Sequence, residues 1–184
     1  LMNNINNEDL NEVIANSKKS EFKPLKMSAF SLDNKKFEAY AYNEVSIMRQ
    51  THLASKIKIK INDQIKMNEL ICDGVLLSTS AGSTAYNLSA HGSILPLDSN
   101  ILALTPISAF RPRRWRGALL SEISKIEFEV MDQNERSSSV TADNVEFRNI
   151  KKVNVISSNE NKCKVLFDSK HSIEDKILNE QFNY

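Results

Sequence analysis

Residues 56–61 read Lys-Ile-Lys-Ile-Lys-Ile, and this strict alternation commits that stretch to a β-strand with one apolar face and one charged face. In a helix the same isoleucines would be scattered around the axis and could not form one buried stripe. Asn62-Asp63 then reads as a tight turn and Ile65-Lys66-Met67 as a return strand, so residues 53–67 form a hairpin. The lysine row reads as a solvated outer face that discourages unwanted edge pairing, not as a nucleic-acid patch.

The same period of two recurs along the chain. Residues 23–31 and 36–48 read as paired strands joined by Asp33-Asn34. Residues 94–97, 101–107, 123–131, 140–148, 153–157 and 163–167 read as further short apolar or alternating segments. Helical signals lie near the ends. Residues 7–19 have Asn7 as cap and Leu10, Val13 and Ile14 as a stripe, and residues 172–182 carry Ile173, Ile177 and Leu178 on one side. Many short strands with helices at the two ends predict a mainly β chain, an antiparallel β-sandwich with a few short helices. No repeat or linker divides residues 1–184, so they read as one domain, with residues 1–20 and 170–184 contributing helical segments.

Glycine is scarce: there are four in 184 residues, Gly74, Gly82, Gly92 and Gly117, against a usual content of about 7%. No Walker-type loop or GxGxxG occurs. Gly74, Gly82 and Gly92 all fall in residues 73–92, DGVLLSTSAGSTAYNLSAHG, so backbone freedom is concentrated there. The stretch reads as a strand at 75–77, a hydroxyl-rich turn pivoting on Gly82, and a helix over 84–90 with Ser83 as N-cap and Gly92 as its left-handed end. A strand followed by a small-residue turn and a helix start suits a polar or anionic ligand. A plain tight turn is the other reading.

Several function classes are disfavoured. Lys and Arg total 24 against 23 Asp and Glu, and a net charge of +1 does not call for nucleic acid or an acidic membrane surface. The cluster Arg111, Arg113, Arg114 and Arg116 around Trp115 therefore reads as a loop for nucleotide phosphates or for a neighbouring subunit. Cys72 and Cys163 lie far apart without CxxC company, which disfavours a zinc site or disulfide scaffold and fits a reducing compartment. No apolar run approaches about 18 residues, so no membrane partner and a cytoplasmic location are expected. A serine hydrolase built on Ser83, His91 and Asp98 lacks the G-x-S-x-G elbow.

Asp73-Gly74, then Ser78-Thr79-Ser80-Ala81-Gly82-Ser83-Thr84-Ala85-Tyr86, then Ser89, resembles the signature of the NAD kinases. Asn43-Glu44 upstream resembles that family's Asn-Glu pair, and Leu104-Thr105-Pro106-Ile107 resembles its Leu-Thr-Pro-Ile strand. The phrases AGSTAYNLSAHG and LTPISAFRPRRWRGALL resemble the alphaproteobacterial branch. The resemblance covers essentially the whole chain. It implies phosphoryl transfer from ATP to the adenosine-side 2′-hydroxyl of NAD, giving NADP. It also implies a homo-oligomer and a divalent metal ion, magnesium in the family, with no ligand for it identifiable in this chain.

The NAD-binding residues implied are Asn43, Glu44, Asp73, Thr84, Ala85, Tyr86, Asn87, Leu88, Ser89 and Ser108. Asn43 offers a donor and an acceptor, Tyr86 a flat face, and Thr84 and Ser89 hydroxyls near a helix start. By the resemblance, Asp73 accepts from the nicotinamide carboxamide across a subunit interface, and Ser108 closes over that end. The chain also departs from the pattern. The family's general base belongs to a Gly-Gly-Asp-Gly motif in an N-terminal α/β domain, and no Gly-Gly pair exists in this sequence. Ser80-Ala81 stand for Pro-Thr, and Asp143-Asn144 sit where many members have Asp-Gly. The expectation is therefore the NAD-binding half, with no catalytic residue of its own, inactive alone, and with the apolar stripe of residues 172–182 left exposed. A stand-alone dinucleotide-binding module and a related lipid kinase domain are the alternatives.

Overall fold

The computed structural model describes residues 10–167, together with Ile177 and Phe182. After a short helix, α1 (Leu10–Ala15), come strands β1 (Lys18–Phe22), β2 (Leu25–Ser31), β3 (Lys36–Ala41), β4 (Glu44–Arg49), β5 (Ser55–Ile61), β6 (Gln64–Cys72) and β7 (Gly74–Ser78). A 3-10 turn (Ala81–Thr84) and a single-turn helix, α2 (Tyr86–Ser89), interrupt them. The chain resumes with β8 (Ile101–Ile107), β9 (Ala118–Ser121), β10 (Ile126–Met131), β11 (Ser138–Ala142), β12 (Val145–Phe147), β13 (Ile150–Ser157) and β14 (Cys163–Phe167).

Two six-stranded antiparallel sheets form the body, in the orders β3-β2-β13-β10-β5-β6 and β12-β11-β4-β7-β8-β9, and β1 pairs with β14 in a small third sheet. Alternate residues of each large sheet point into one shared core. Met27, Ile57 and Phe128 come from the first sheet, and Ile47, Leu77 and Leu104 from the second. β7 is buried along its whole length because a second layer of chain covers its outer face. The expected antiparallel sandwich is the observed fold.

The hairpin forms as the sequence implies, with Asn62 and Asp63 both at positive φ (50° and 62°), the backbone that matches the twist of paired strands. Its lysines do something different from the expectation. β5 lies between β10 and β6, so it is not an edge, and the lysines face an acidic ladder on β10 and beyond. Lys60 contacts Glu127 at 2.8 Å, Lys58 contacts Glu129 at 3.2 Å, and Lys56 contacts Asp132 at 2.6 Å. Long-range register, invisible to a local reading, supplied the partners.

Other boundaries move for the same reason. The described helix ends at Ala15, and Lys18 and Lys19 join β1, because pairing with β14 outweighs local helix preference. Residues 36–48 split at Tyr42-Asn43, where the chain leaves the first sheet for the second. Residues 140–148 split at Asp143-Asn144, which turns β11 into β12, and residues 94–97 form no strand. The helix expected over 172–182 lies outside the described residues except for Ile177 and Phe182. Ile177 is buried at 4% exposure in a cluster with Phe167, contrary to an exposed stripe, while Phe182 is exposed.

Phe128 is fully buried at the centre of the core, so Phe128→Ala is expected to cost about 3–5 kcal/mol in urea unfolding followed by circular dichroism. Lys58→Ala, which removes a half-exposed ion pair, is expected to cost less than about 1 kcal/mol.

Candidate functional site

The segment after β7 folds back over the outer face of the second sheet, and its geometry starts at Gly82. A Cβ there would overlap the Asn43 backbone, so only glycine permits the turn to sit against the crossing at Tyr42-Asn43. Thr79 fastens the two. Its hydroxyl donates to the Tyr42 carbonyl at 2.6 Å and accepts from the Gly82 N–H at 3.0 Å. Its own N–H donates to the Asn43 carbonyl at 2.9 Å.

The helix expected over 84–90 is a 3-10 turn and one α-turn broken at Ala85, which has φ −93° and ψ −128°. Ser83 is not its cap. The fully buried Ser83 hydroxyl donates to the Ser80 carbonyl at 2.8 Å and accepts from the Leu95 N–H at 3.0 Å, tying down the returning loop. With that hydroxyl committed, the hydrolase reading loses its nucleophile. His91, at φ 62°, takes the left-handed position assigned to Gly92. Gly92 instead leaves room for the side chains of Asn87 and Thr105.

Asn87 also departs from expectation. It is fully buried, donating both amide protons to the carbonyls of Ser83 (3.1 Å) and Ser93 (2.9 Å) and accepting from the Thr105 hydroxyl (2.7 Å). Its side chain pins α2 to the sheet, with both amide protons spent inside the fold. Leu88 is half-buried and Ser89 exposed on the same turn.

Beside the turn opens a cleft of about 370 Å³. Asn43, Thr84 and Ala85 line it with Tyr42 and Ala81, and Phe22, Leu97, Cys163, Val165 and Phe167 form the rest of the wall. One flank is polar and the other apolar, which suits a molecule with a flat ring and a sugar. Phe22 and Phe167 meet edge to face at 6.4 Å. The apolar flank escaped the sequence reading because β1 and β14 come together from opposite ends of the chain. The alternation at 163–167 was the only local signal.

Glu44 follows Asn43 of the cleft wall and opens β4. Burial, and then the Asp143 charge, push its carboxyl up to about 7, and its Oε2 is buried without a hydrogen-bond partner. Tyr86 lies on the same outer face, its hydroxyl 3.8 Å from the Met48 sulfur. Its phenol is raised by burial and then by the charges of Glu44 and Asp73. Asp73 occupies the opposite end of β7, where Arg49 Nε donates to its Oδ1 at 2.6 Å. Because Glu44 pairs with Ser78 and Met48 with Gly74, the Glu44 and Asp73 ends lie roughly 17 Å apart along the strand. Ser108, at φ 50°, follows β8 on the Asp73 side, where the Asp73 N–H donates to the Ile107 carbonyl at 3.0 Å. The structure thus brings Asn43, Thr84 and Ala85 together in the cleft wall, with Glu44 next to Asn43, and turns the Tyr86 phenol toward Met48, which pairs with Gly74 near the Asp73 and Ser108 end.

The sequence profile of the ATP-NAD kinase C-terminal domain matches residues 42–167, from the first sheet crossing to the end of β14. The NAD kinase of Hyphomonas neptunium is 47% identical over 184 residues, all of this chain and 72% of that protein. This chain belongs to the NAD kinase family. The NAD kinase of Rickettsia bellii is 48% identical over 182 residues, 99% of this chain and 71% of that protein. Two solved structures share the fold at lower identity. Yeast NADH kinase complexed with NADH has a TM-score of 0.77 at 22% identity, covering 91% of this chain and 49% of the yeast one. An NAD kinase from Archaeoglobus fulgidus in complex with ATP has a TM-score of 0.70 at 21% identity, covering 89% of this chain and 60% of that one.

Two further expectations concern a metal ion and a membrane. Among the described residues no three His, Cys, Asp or Glu side chains gather to hold a metal ion. Among the same residues no helix is long and apolar enough to cross a membrane. The arginine loop is exposed, with Arg113 stacked over Phe110 at 4.9 Å and Trp115 packed on the core.

Glu44 ionises only above its ordinary 4.5, near 7, so its contribution to stability is complete below 4.5 and is lost as pH rises through 7. Glu44→Gln does not titrate and avoids this loss. Its stability relative to the parent is expected to improve by about 1–2 kcal/mol between pH 4.5 and pH 8, after discounting for solvent screening. Chemical denaturation at the two pH values measures it.

Proposed function

We propose that this chain supplies the dinucleotide-binding half of an enzyme that transfers a phosphoryl group from ATP to the adenosine-side 2′-hydroxyl of NAD, giving NADP. The observation that carries the reading is Glu44, a half-buried carboxylate with one unpartnered oxygen, beside the exposed Asn43 and a cleft of about 370 Å³. A buried oxygen without a partner carries a desolvation cost that a ligand hydroxyl relieves. Sugar hydroxyls donate to carboxylates, the Asn43 amide both donates and accepts, and Tyr86 offers its ring to the same molecule. The NADH held by the yeast neighbour and the ATP held by the Archaeoglobus neighbour support ligands of this class.

Phosphoryl transfer asks a protein mainly for positioning and charge stabilisation. This chain's part is to hold the acceptor nucleoside, with Thr84, Ala85 and Tyr86 against it, and to reach the other end of the dinucleotide at Asp73 and Ser108. No general base is assigned to these 184 residues, which lack a Gly-Gly-Asp-Gly motif. The divalent ion of the family neutralises phosphate charge when bound, and no step in this chain is routed through it. The half-exposed Asp73, with exposed Ser108 and Phe110 nearby, supports a homo-oligomer in which a second copy completes that end. The two unpaired cysteines are consistent with a cytoplasmic setting.

Isothermal titration of NAD and NADP into the purified chain is expected to show binding. Asn43→Ala and Tyr86→Ala are each expected to weaken it by at least about 10-fold, or about 1.4 kcal/mol. Absence of binding, or unchanged affinity in both variants, overturns the assignment of the cleft. With ATP and magnesium added, the chain alone is expected to form no NADP, and NADP formation would place the base within it.

A further inference from the structure

Asp143 has no assigned part in binding, yet it makes four hydrogen bonds to the backbone beside the candidate site. It lies in the turn between β11 and β12 at φ 49°, opposite the point where the chain crosses from the first sheet to the second. Its Oδ2 accepts from the Tyr42 N–H at 2.7 Å, and its Oδ1 accepts from the N–H groups of Asn43 (3.0 Å) and Glu44 (3.2 Å). Its own N–H donates to the Glu44 carbonyl at 3.2 Å. Between sheets a strand has no neighbour to pair with, so these amides need another acceptor. A carboxylate has two oxygens and a full charge with which to gather them.

We propose that Asp143 is a positioning residue for dinucleotide capture, clasping the Tyr42–Glu44 crossing so that Asn43 is held in the cleft and Glu44 beside it. The proposal rests on the reading that the cleft takes a dinucleotide. Two effects follow from the one carboxylate. The clasp fixes the backbone from which Asn43 and Glu44 project. Its charge also faces Glu44, and together with burial it holds a proton on that side chain up to about 7. The titratable groups facing Glu44 are Asp143 from the β11–β12 turn and the Tyr86 phenol from α2. Neither is a cation that would offset the effect. An ionised Glu44 accepts from two ligand hydroxyls, whereas a protonated one keeps a single good acceptor. Dinucleotide affinity therefore rises with pH as Glu44 ionises.

Position 143 tolerates asparagine at positive φ, so Asp143→Asn keeps the turn while removing the charge and one acceptor oxygen. Asp143→Ala removes the clasp altogether. Amide hydrogen exchange at residues 42–44 of the ligand-free chain reads the clasp directly. It is expected to quicken at least about 10-fold in Asp143→Ala and less in Asp143→Asn, while amides of β5 and β10 stay protected and report an intact fold. NAD titrations from pH 6 to pH 8.5 read the capture role. In the parent chain, affinity is expected to rise across this range with a midpoint near 7, the Glu44 value. In Asp143→Asn the midpoint moves to lower pH, because a like charge has gone. In Asp143→Ala affinity falls at least about 10-fold throughout, and Glu44→Gln removes the pH dependence. Unchanged exchange in Asp143→Ala overturns the clasp. Faster exchange with unchanged NAD affinity and midpoint makes Asp143 merely structural and overturns the capture role. If the parent chain binds no NAD, the dinucleotide reading fails and the capture role fails with it, while the exchange result still decides the clasp.

Discussion

The candidate site depends on how the chain is held where it passes from one sheet to the other at Tyr42-Asn43. A strand that leaves its ladder exposes amides and carbonyls that must find partners elsewhere. Here the amides go to Asp143, and the carbonyls of Tyr42 and Asn43 accept from Thr79. Gly82 lets a second layer of chain rest against that same backbone. The crossing at Asp73 is held in parallel fashion, by the Arg49 side chain and by the Ile107 carbonyl. Asn43 and Glu44 sit at the first of these passages and Asp73 at the second.

At the Tyr42-Asn43 crossing the backbone is satisfied while a neighbouring side-chain oxygen is not. Glu44 stands next to the Asp143 carboxylate, partly withdrawn from water, and its buried oxygen has no partner. A fold optimised only for stability would have a neutral side chain there. The cost of that desolvated oxygen is offset by a large, regular core. The two sheets share one continuous apolar layer, and β7, which joins Ser78 to Asp73, is buried on both faces.

Much of the strand content was legible locally. The alternation at 56–61, the Asn62-Asp63 turn, the apolar run of β8 and the segment 163–167 all correspond to observed strands. What failed shares one cause. Lys18 and Lys19 were read as a helix end and are in a strand, because their partner lies about 150 residues away. The Ser83 hydroxyl, expected as a cap, receives the Leu95 amide, and the Asn87 side chain, in the run expected to hold NAD, bonds to Thr105. In each case the residue type promised a hydrogen bond and the fold chose the partner.

The sequence by itself determined the β character, the motif that places the chain in the NAD kinase family, and the residues that carry donors and acceptors, since these follow from periodicity and residue chemistry. The tertiary structure alone decided that β1 and β14 would supply the apolar flank of the cleft. It also decided that the lysines of β5 would meet an acidic ladder and that Asp143 would gather the amides beside Asn43. A side chain's hydrogen-bonding capacity is local, but its partner, its burial and its proton affinity depend on which distant segments the sheets bring beside it.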